Sequence, residues 1–304
     1  MTFEDLRDDF LSYLEIELNR SKATIDGYKK DLKYFFNYLR ENDIKDIEDI
    51  TPQFLSEYIQ YLAYRKNYKP RSQARTIATL RNFFEFLKSE EFISENPAVR
   101  LKVPRLPRNL PKYLTKDEVE KLIAAADDGT LKGKKNMTIL AVLFYTGLRL
   151  FEIINLKLDD LSADLSTLEV KHGKGDKYRI LPIHPELKQL LQCYLEKIRR
   201  DSRSPYLFNG ERGEKLSAST VRLMVKKTAR KAGLKKNVTP HVLRHSIATC
   251  LAQAEGVDIL DISKFLGHSK LTTTKIYLHA DLKHLREAVE RLPVIKGVQE
   301  DEVI

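Results

Sequence analysis

Apolar residues recur every three or four positions through most of the first hundred residues. Leu6, Phe10, Tyr13 and Leu14 share one helical face, and Tyr28, Leu32, Phe35, Phe36 and Leu39 share another. That period is the one expected when one side of a helix meets a core. Thr51 followed by Pro52 marks a third start: the hydroxyl can cap, and proline suits the first helical position, where its missing N–H is not needed. The pattern then runs through QFLSEYIQYLAYRK. A fourth helix is predicted through SQARTIATLRNFFEFLKSE, stopping before Asn96-Pro97. Four helices with no strand pattern predict a small all-α domain over residues 1–101.

Periodicity then breaks. Residues 102–114, KVPRLPRNLPKYL, interleave Pro104, Pro107 and Pro111 with Lys102, Arg105, Arg108 and Lys112. Proline at that density favours extended backbone and forbids a helix. This stretch is the expected domain boundary, either a plain solvated linker or one whose charges lie along a polyanion. A second domain is expected over 115–295, with 296–304 as a tail. It opens at Thr115 with Glu118 three residues on, a capping-box spacing. Further helix starts are marked at Ser217, Thr239-Pro240, Asp258 and Thr272. STLEV and KYRILPI, joined by KHGKGD, read as a β-hairpin. The expected fold is mainly α with a small antiparallel sheet, in two domains.

Composition narrows the partner. Of 304 residues, 42% are hydrophobic and 32% charged, which suits a globular protein with a core. The net charge of +10 and pI near 9.3 favour polyanions, because cations near phosphates release condensed counterions. Charge alone leaves nucleic acid and an ordinary basic surface equally open. Cys193 and Cys250 lie in apolar helix-like runs with no partner at metal spacing, so neither a disulfide framework nor a zinc ribbon is expected. The opening MTFEDLRDDF is acidic and amphipathic, unlike a signal peptide, and no apolar run reaches the roughly 18 residues that span a bilayer. The cytoplasm is the expected compartment.

Four segments hold residue types suited to phosphate chemistry. In TPHVLRH, residues 239–245, Thr239 caps and Pro240 opens a helix, placing His241 among free backbone N–H groups that favour an anion. Arg244 lies three residues on, on the same face. The pair makes a phosphate cradle, or a helix-capping histidine beside a surface arginine. Zinc on His241 and His245 is rejected, because Val242 stands where the HExxH motif needs glutamate and Arg244 would repel a cation. No metal is expected. In YTGLRLFEIINL, residues 145–156, Arg149 and Glu152 interrupt an apolar helix. They form an internal ion pair, or Glu152 orients Arg149 while its fork faces a phosphate. Gly147 allows close backbone approach. Lys174, flanked by Gly173 and Gly175 in HGKGD, sits on a turn that does not satisfy the P-loop pattern. In FLGHSKLTTTKIYLHA, residues 265–280, Gly267 reads as a helix C-cap, followed by His268 and then Tyr277. By itself Tyr277 is one of 14 tyrosines, and a half-buried packing residue is the ordinary role for any of them.

Taken in order, TGLRLFE, KHGKGDKYRILP, TPHVLRHSIAT and FLGHSKLTTTKIYLH resemble the tyrosine recombinase (phage integrase) family, and its Xer-like chromosome-dimer recombinases most of all. The similarity spans nearly the whole chain and includes an N-terminal SxxTxxxYxxDL opening at Ser21, Thr24, Tyr28, Asp31 and Leu32. Departures are small. Leu150-Phe151 replaces a more usual Val-Ser, and Ile247 stands where Phe is frequent; neither removes a functional group.

The resemblance implies a helical SAM-like core-binding domain followed by a catalytic domain. Tyr277 would attack the scissile phosphate in line, giving a 3′-phosphotyrosyl bond and a free 5′-hydroxyl. A free phenol has a pKa near 10, so the site must accept its proton and stabilise negative charge. Arg149 and Arg244 would clamp the non-bridging oxygens. His241 and His268 would add hydrogen bonds, with His241 the proton acceptor for Tyr277. Lys174 would protonate the leaving 5′-oxygen, and Glu152 would orient Arg149 without doing chemistry. Two arginines fill the role a divalent metal often has, so no cofactor is required. The phosphotyrosyl ester conserves the bond, so no ATP is expected.

The implied partners are double-stranded DNA with specific recombination sites and a homo- or hetero-tetramer built on it. Arg71, Ser72, Arg75 and Arg81 in the fourth helix, with Arg105 and Arg108 in the boundary stretch, are candidate DNA contacts; an exposed basic face is the alternative. After Tyr277, Leu282, Leu285, Val289 and Leu292 share one helical face that docks either on a neighbouring protomer or on its own domain. Three other activities remain: integrase of a mobile element, type IB topoisomerase-like DNA relaxation, and DNA binding without catalysis. Lack of an obvious extra arm-binding module favours the Xer-like form.

Overall fold

The computed structural model describes residues 2–105, 113–171, 178–199, 203–210, 212–254, 257–267, 287 and 289–292. The chain divides into two compact units, Met1–Asn109 and Leu110–Ile304, and the division falls inside the proline-rich stretch 102–114.

The first unit contains α1 (Phe3–Ile16), α2 (Lys22–Glu41), α3 (Pro52–Tyr64) and α4 (Pro70–Ser89). Thr51 accepts from the Phe54 N–H at 3.1 Å, and Pro52 occupies the first turn, as the sequence predicts. Helix α4 starts two residues earlier than the apolar pattern indicates, because Pro70 supplies its first position. It ends at Ser89, and Glu91 takes a left-handed φ of 59° that turns the chain away well before Pro97. The core is aromatic. Phe10, Phe35, Phe36, Phe83, Phe84 and Tyr58 are fully buried, with rings 5.5 Å apart and edge-on for Phe10 and Phe83. Edge-on rings place positive edge against negative face, which stabilises beyond area burial.

The polar residues of the N-terminal motif join helices. Asp31, buried on α2, accepts from Arg75 Nε at 3.0 Å, Arg75 Nη2 at 2.6 Å and Thr79 Oγ1 at 3.1 Å, all on α4. Tyr28 accepts from Asn82 Nδ2 at 2.6 Å. A buried carboxylate is tolerated because each oxygen is hydrogen-bonded and one guanidinium neutralises it.

The second unit contains α5 (Lys116–Ala124), α6 (Leu131–Thr146), α7 (Leu150–Asn155), β1 (Thr167–Val170), β2 (Arg179–Pro182), α8 (Pro185–Cys193), α9 (Ala218–Lys231), α10 (Pro240–Gln253) and α11 (Ile259–Leu266). A single π-helical turn, Tyr194–Ile198, continues α8. The capping box at Thr115 and Glu118 forms, and Ser217, Thr239 and Asp258 cap α9, α10 and α11. Thr272 lies outside the described residues. Helix α6 is the central element: Thr138 through Thr146 are all buried. A helix apolar all round must be enclosed, and α10, α8 and α5 pack against it. Strands β1 and β2 pair antiparallel with Val170 opposite Arg179. They form the only sheet among the described residues, so the fold is mainly α with one small hairpin, as expected.

Val289 and Leu292 are buried in the core of this unit, and the His184 ring hydrogen-bonds the Leu292 backbone. Of the two docking modes open for that apolar face, these two residues take the one on their own domain. Leu282 and Leu285 lie outside the described residues.

Candidate active site

Two glycine caps bring the charged residues together. Helix α6 ends at Gly147 with φ 58°, and the chain turns sharply into α7, whose N-cap is Arg149. A Cβ on Gly147 would stand 2.8 Å from Leu266 Cδ2 and 3.2 Å from Ile247 Cγ2, so α6, α10 and α11 meet closely there. Helix α11 ends at Gly267 with φ 63°. Its last carbonyls point out of the helix without intrahelical partners and hold the negative end of the helix dipole.

Three guanidiniums satisfy them. Arg179 Nε donates to the Phe265 carbonyl at 3.1 Å, Arg244 Nη2 donates to the Leu266 carbonyl, and Arg149 Nη2 donates to the Gly267 carbonyl at 2.5 Å. Arg244 Nη1 also donates to the Gly147 carbonyl. The three arginines come from β2, α10 and the start of α7, and the end of α11 is the peg on which they converge. Glycine at 267 permits this, because a Cβ would stand 3.1 Å from Arg179 Nη1 and 3.5 Å from Arg149 Nη1.

Glu152 is the carboxylate within the group. Its Oε1 accepts from Arg149 Nη1 at 2.9 Å and Arg179 Nη1 at 3.1 Å. Its Oε2 accepts from the Arg149 backbone N–H at 2.8 Å and Arg179 Nη2 at 2.9 Å. Burial alone would raise its pKa, but bonds and charge from Arg179, then Arg149, outweigh it and hold the carboxyl down at about 2. The Arg149–Glu152 pair is thus an internal ion pair, the first of its two readings.

Arg244 differs. It is 5% exposed, and among the described residues no carboxylate forms an ion pair with it. Burial, and then the neighbouring Arg149, push its pKa down to about 10, with Glu152 opposing only in part. It remains a cation at neutral pH. Among the described residues three guanidiniums stand against one carboxylate, a surplus of positive charge that an anion would neutralise.

His241 is exposed in the first turn of α10, three residues before Arg244. Its ring meets the His245 ring edge at 4.4 Å between centroids. Burial, then His241 and Arg244, lower the His245 pKa, which favours the neutral ring beside these cations. Among the described residues no group of three or more His, Cys, Asp or Glu side chains is placed to hold a metal ion.

The structure thus brings Arg149, Glu152 and Arg244 together, with His241 one helical turn from Arg244. Lys174, His268, Tyr277 and Arg108 lie outside the described residues. Of the N-terminal candidates, Arg71 is exposed and Ser72 half-buried in the first turn of α4. Arg75 is committed to Asp31. Arg81 donates to the carbonyls of Ala98, Val99 and Leu101, closing the end of its own unit. Arg105 is exposed.

Two features are missed by sequence reasoning. Arg179 reads as an ordinary strand residue; the available signal is a lone arginine opening an otherwise apolar strand, RILP. Helix α9 buries Val221, Val225, Thr228 and Ala229 and exposes Arg222, Lys226, Lys227, Arg230 and Lys231 on the other side. Its sequence, ASTVRLMVKKTARK, contains no acid, and that run of unopposed cations is the signal that could have found it.

Both parts of the chain are matched by known families. Residues 112–284 match the phage integrase family, and residues 8–91 match the phage integrase N-terminal SAM-like domain. The chain belongs to the phage integrase family, the tyrosine recombinases. It is 40% identical to a tyrosine recombinase named XerA from Pyrococcus horikoshii, over 97% of this chain and 95% of that protein. It is 34% identical to one named XerD from Listeria monocytogenes, over 94% of this chain and 98% of that protein. Among solved structures, a lambda integrase dimer bound to a COC′ core site superposes with TM-score 0.72 at 20% identity, covering 91% of this chain and all of that one; at that identity the likeness concerns the fold.

Proposed function

We propose that this protein is a site-specific DNA recombinase that cuts and rejoins strands through a 3′-phosphotyrosyl bond on Tyr277. One observation supports this above the rest: Arg244 is a buried cation with no direct ion pair among the described residues, set beside Arg149 on the end of α11. Leaving a buried charge unpaired costs several kcal/mol, so an anionic ligand is the natural complement. A phosphodiester brings one negative charge, and its phosphorane-like transition state brings a second. The surplus of two guanidiniums fits the transition state better than the ground state, which is the condition for catalysis rather than mere binding.

The remaining roles follow the chain. His268 follows Gly267 in the sequence, and Arg149 holds the Gly267 carbonyl. Lys174 stands five residues before Arg179 in the sequence, and Arg179 opens β2. His241, exposed in the α10 first turn, accepts the Tyr277 proton, and Lys174 protonates the leaving 5′-oxygen. Strand rejoining reverses the same steps, with a 5′-hydroxyl as attacker.

DNA is held by cations outside the cluster. The exposed face of α9, Arg71 with Ser72 in α4, and Arg105 and Arg108 contact backbone phosphates. The near full-length identity to proteins named Xer recombinases favours resolution of chromosome or plasmid dimers by a tetramer on paired sites over integration of a mobile element. Action on chromosomal DNA supports a cytoplasmic location. Among the described residues no helix is long and apolar enough to cross a membrane.

The test begins by mapping the DNA that the protein protects, then building a suicide duplex nicked within that footprint. Wild-type protein should form a detergent-resistant adduct, undiminished in EDTA, while Tyr277→Phe should bind with similar affinity and form none. Adducts of equal yield from Tyr277→Phe would remove the nucleophile assignment, and strict magnesium dependence would indicate a metal nuclease instead. Relaxation of any supercoiled plasmid without strand exchange would favour the topoisomerase-like activity.

A further inference from the structure

Arg179 makes three hydrogen bonds to two parts of the site at once. Its Nη1 and Nη2 take both oxygens of Glu152, at 3.1 and 2.9 Å, and its Nε takes the Phe265 carbonyl at 3.1 Å. Its side chain is 9% exposed and that of Glu152 3%. The two-pronged geometry is one that only arginine supplies, since lysine offers a point charge without the fork.

Its effect on Arg149 follows from competition for one carboxylate. Arg149 gives Glu152 its backbone N–H and one guanidinium nitrogen, and sends the other nitrogen to Gly267. Without Arg179, Glu152 Oε2 would keep only the Arg149 backbone N–H, and both oxygens would have a lone pair open to the full fork of Arg149, the arrangement that Arg–carboxylate pairs favour. Arg149 would then turn inward, leaving Gly267 and the phosphate position. The side chain of Arg149 keeps 28% exposure here, consistent with an outer edge left for a ligand.

We infer that Arg179 is a positioning residue for strand cleavage: by occupying Glu152 and the end of α11 it keeps the Arg149 guanidinium turned outward to meet the scissile phosphate. This rests on the recombinase reading above, and it assigns work to a residue of the hairpin base that touches no reacting atom.

The experiment compares single-turnover adduct formation by wild type, Arg179→Lys and Arg179→Gln on two suicide duplexes. One has the normal scissile phosphodiester and the other a methylphosphonate. The neutral linkage develops one fewer charged oxygen, so it depends less on a guanidinium clamp. On the normal linkage Arg179→Lys should cleave about 10- to 100-fold more slowly, the range typical of groups that orient a functional residue, with DNA affinity little changed. On the methylphosphonate the deficit should shrink to roughly threefold or less, the same direction as for Arg149→Ala. Combined with Glu152→Gln, the Arg179 deficit should be less than additive. Thermal melting is read in parallel. If Arg179→Gln does not fold, Arg179→Lys, which keeps a charge at Glu152, gives the answer.

An equal deficit on both linkages would overturn the inference and leave Arg179 a stabilising residue only. A wild-type protein that forms no adduct on either linkage would overturn the recombinase reading and this inference with it. Adduct from wild type, with a deficit specific to the normal linkage, supports both.

Discussion

Arg149 Nη2 donates to the carbonyl oxygen of Gly267 at 2.5 Å, joining the first turn of α7 to the last turn of α11 across 118 positions of sequence. The bond uses a carbonyl that the helix itself cannot satisfy, and it fixes a cation next to the residue that precedes His268. Gly267 sits at φ 63°, and an added methyl would press on Arg179 Nη1 at 3.1 Å. Gly267→Ala should therefore cost about 1–2 kcal/mol for the left-handed backbone. It should cost cleavage more, up to about a hundredfold for a displacement near 1 Å. Measuring thermal melting beside adduct rate separates the two; a rate unchanged while stability falls would mean that the cap does not set the clamp.

Glu152 gives the site a pH signature. Its folded pKa of about 2 lies below its ordinary 4.5, so ionisation favours the folded state. The sign is that of a depressed carboxyl: its contribution is fully present above pH 4.5 and is lost as pH falls from 4.5 towards 2. The size is on the order of 3 kcal/mol. Glu152→Gln should destabilise the protein at neutral pH by about 3–5 kcal/mol, because buried guanidiniums lose their counter-charge. It should also flatten the acid limb of a stability-versus-pH curve. Parallel acid limbs in wild type and variant would contradict the assignment.

Lys174 is testable through its leaving group. Lys174→Ala should slow cleavage of a normal duplex strongly, by about 10²- to 10⁴-fold for loss of a general acid. A 5′-phosphorothiolate leaves without a proton, so the same variant should approach the wild-type rate on it. Failure of that rescue would move the acid role elsewhere.

Arginines of α4 should separate into two kinds. Arg75→Ala strands a buried Asp31, so it should lower stability by about 1–3 kcal/mol and change DNA binding mainly through unfolding. Arg71→Ala, and Lys226→Ala or Arg230→Ala on the outer face of α9, should leave melting unchanged. Each should reduce the slope of log K against log salt by about 0.9, the share of one phosphate that its cation neutralises. The readout is a salt titration of binding at constant pH. Unchanged slopes for Lys226→Ala and Arg230→Ala would exclude α9 from the DNA interface.

Much of the fold is legible because its signals are local. Thr51-Pro52, Thr115 with Glu118, Ser217, Thr239-Pro240 and Asp258 cap the helices that the sequence marks, since a capping hydroxyl or carboxylate needs only its own next three residues. The hairpin is legible from alternation and a glycine turn. Helix ends are less so: the stop at Ser89 depends on a left-handed Glu91 that nothing in the residue type announces.

The sequence alone determined which residue types could do the chemistry, in what order, and on which helix starts. Arg149 and Glu152 were identifiable as charged groups in an apolar helix, where each demands a partner, and His241 with Arg244 as a pair on one face of a helix start. Tertiary structure decided who the partners are. The peg at the end of α11, the sharing of Glu152 between Arg149 and Arg179, and the diversion of Arg75 and Arg81 to structural bonds all join residues distant in the chain. Such pairings depend on how helices close on one another, and local periodicity has no access to that.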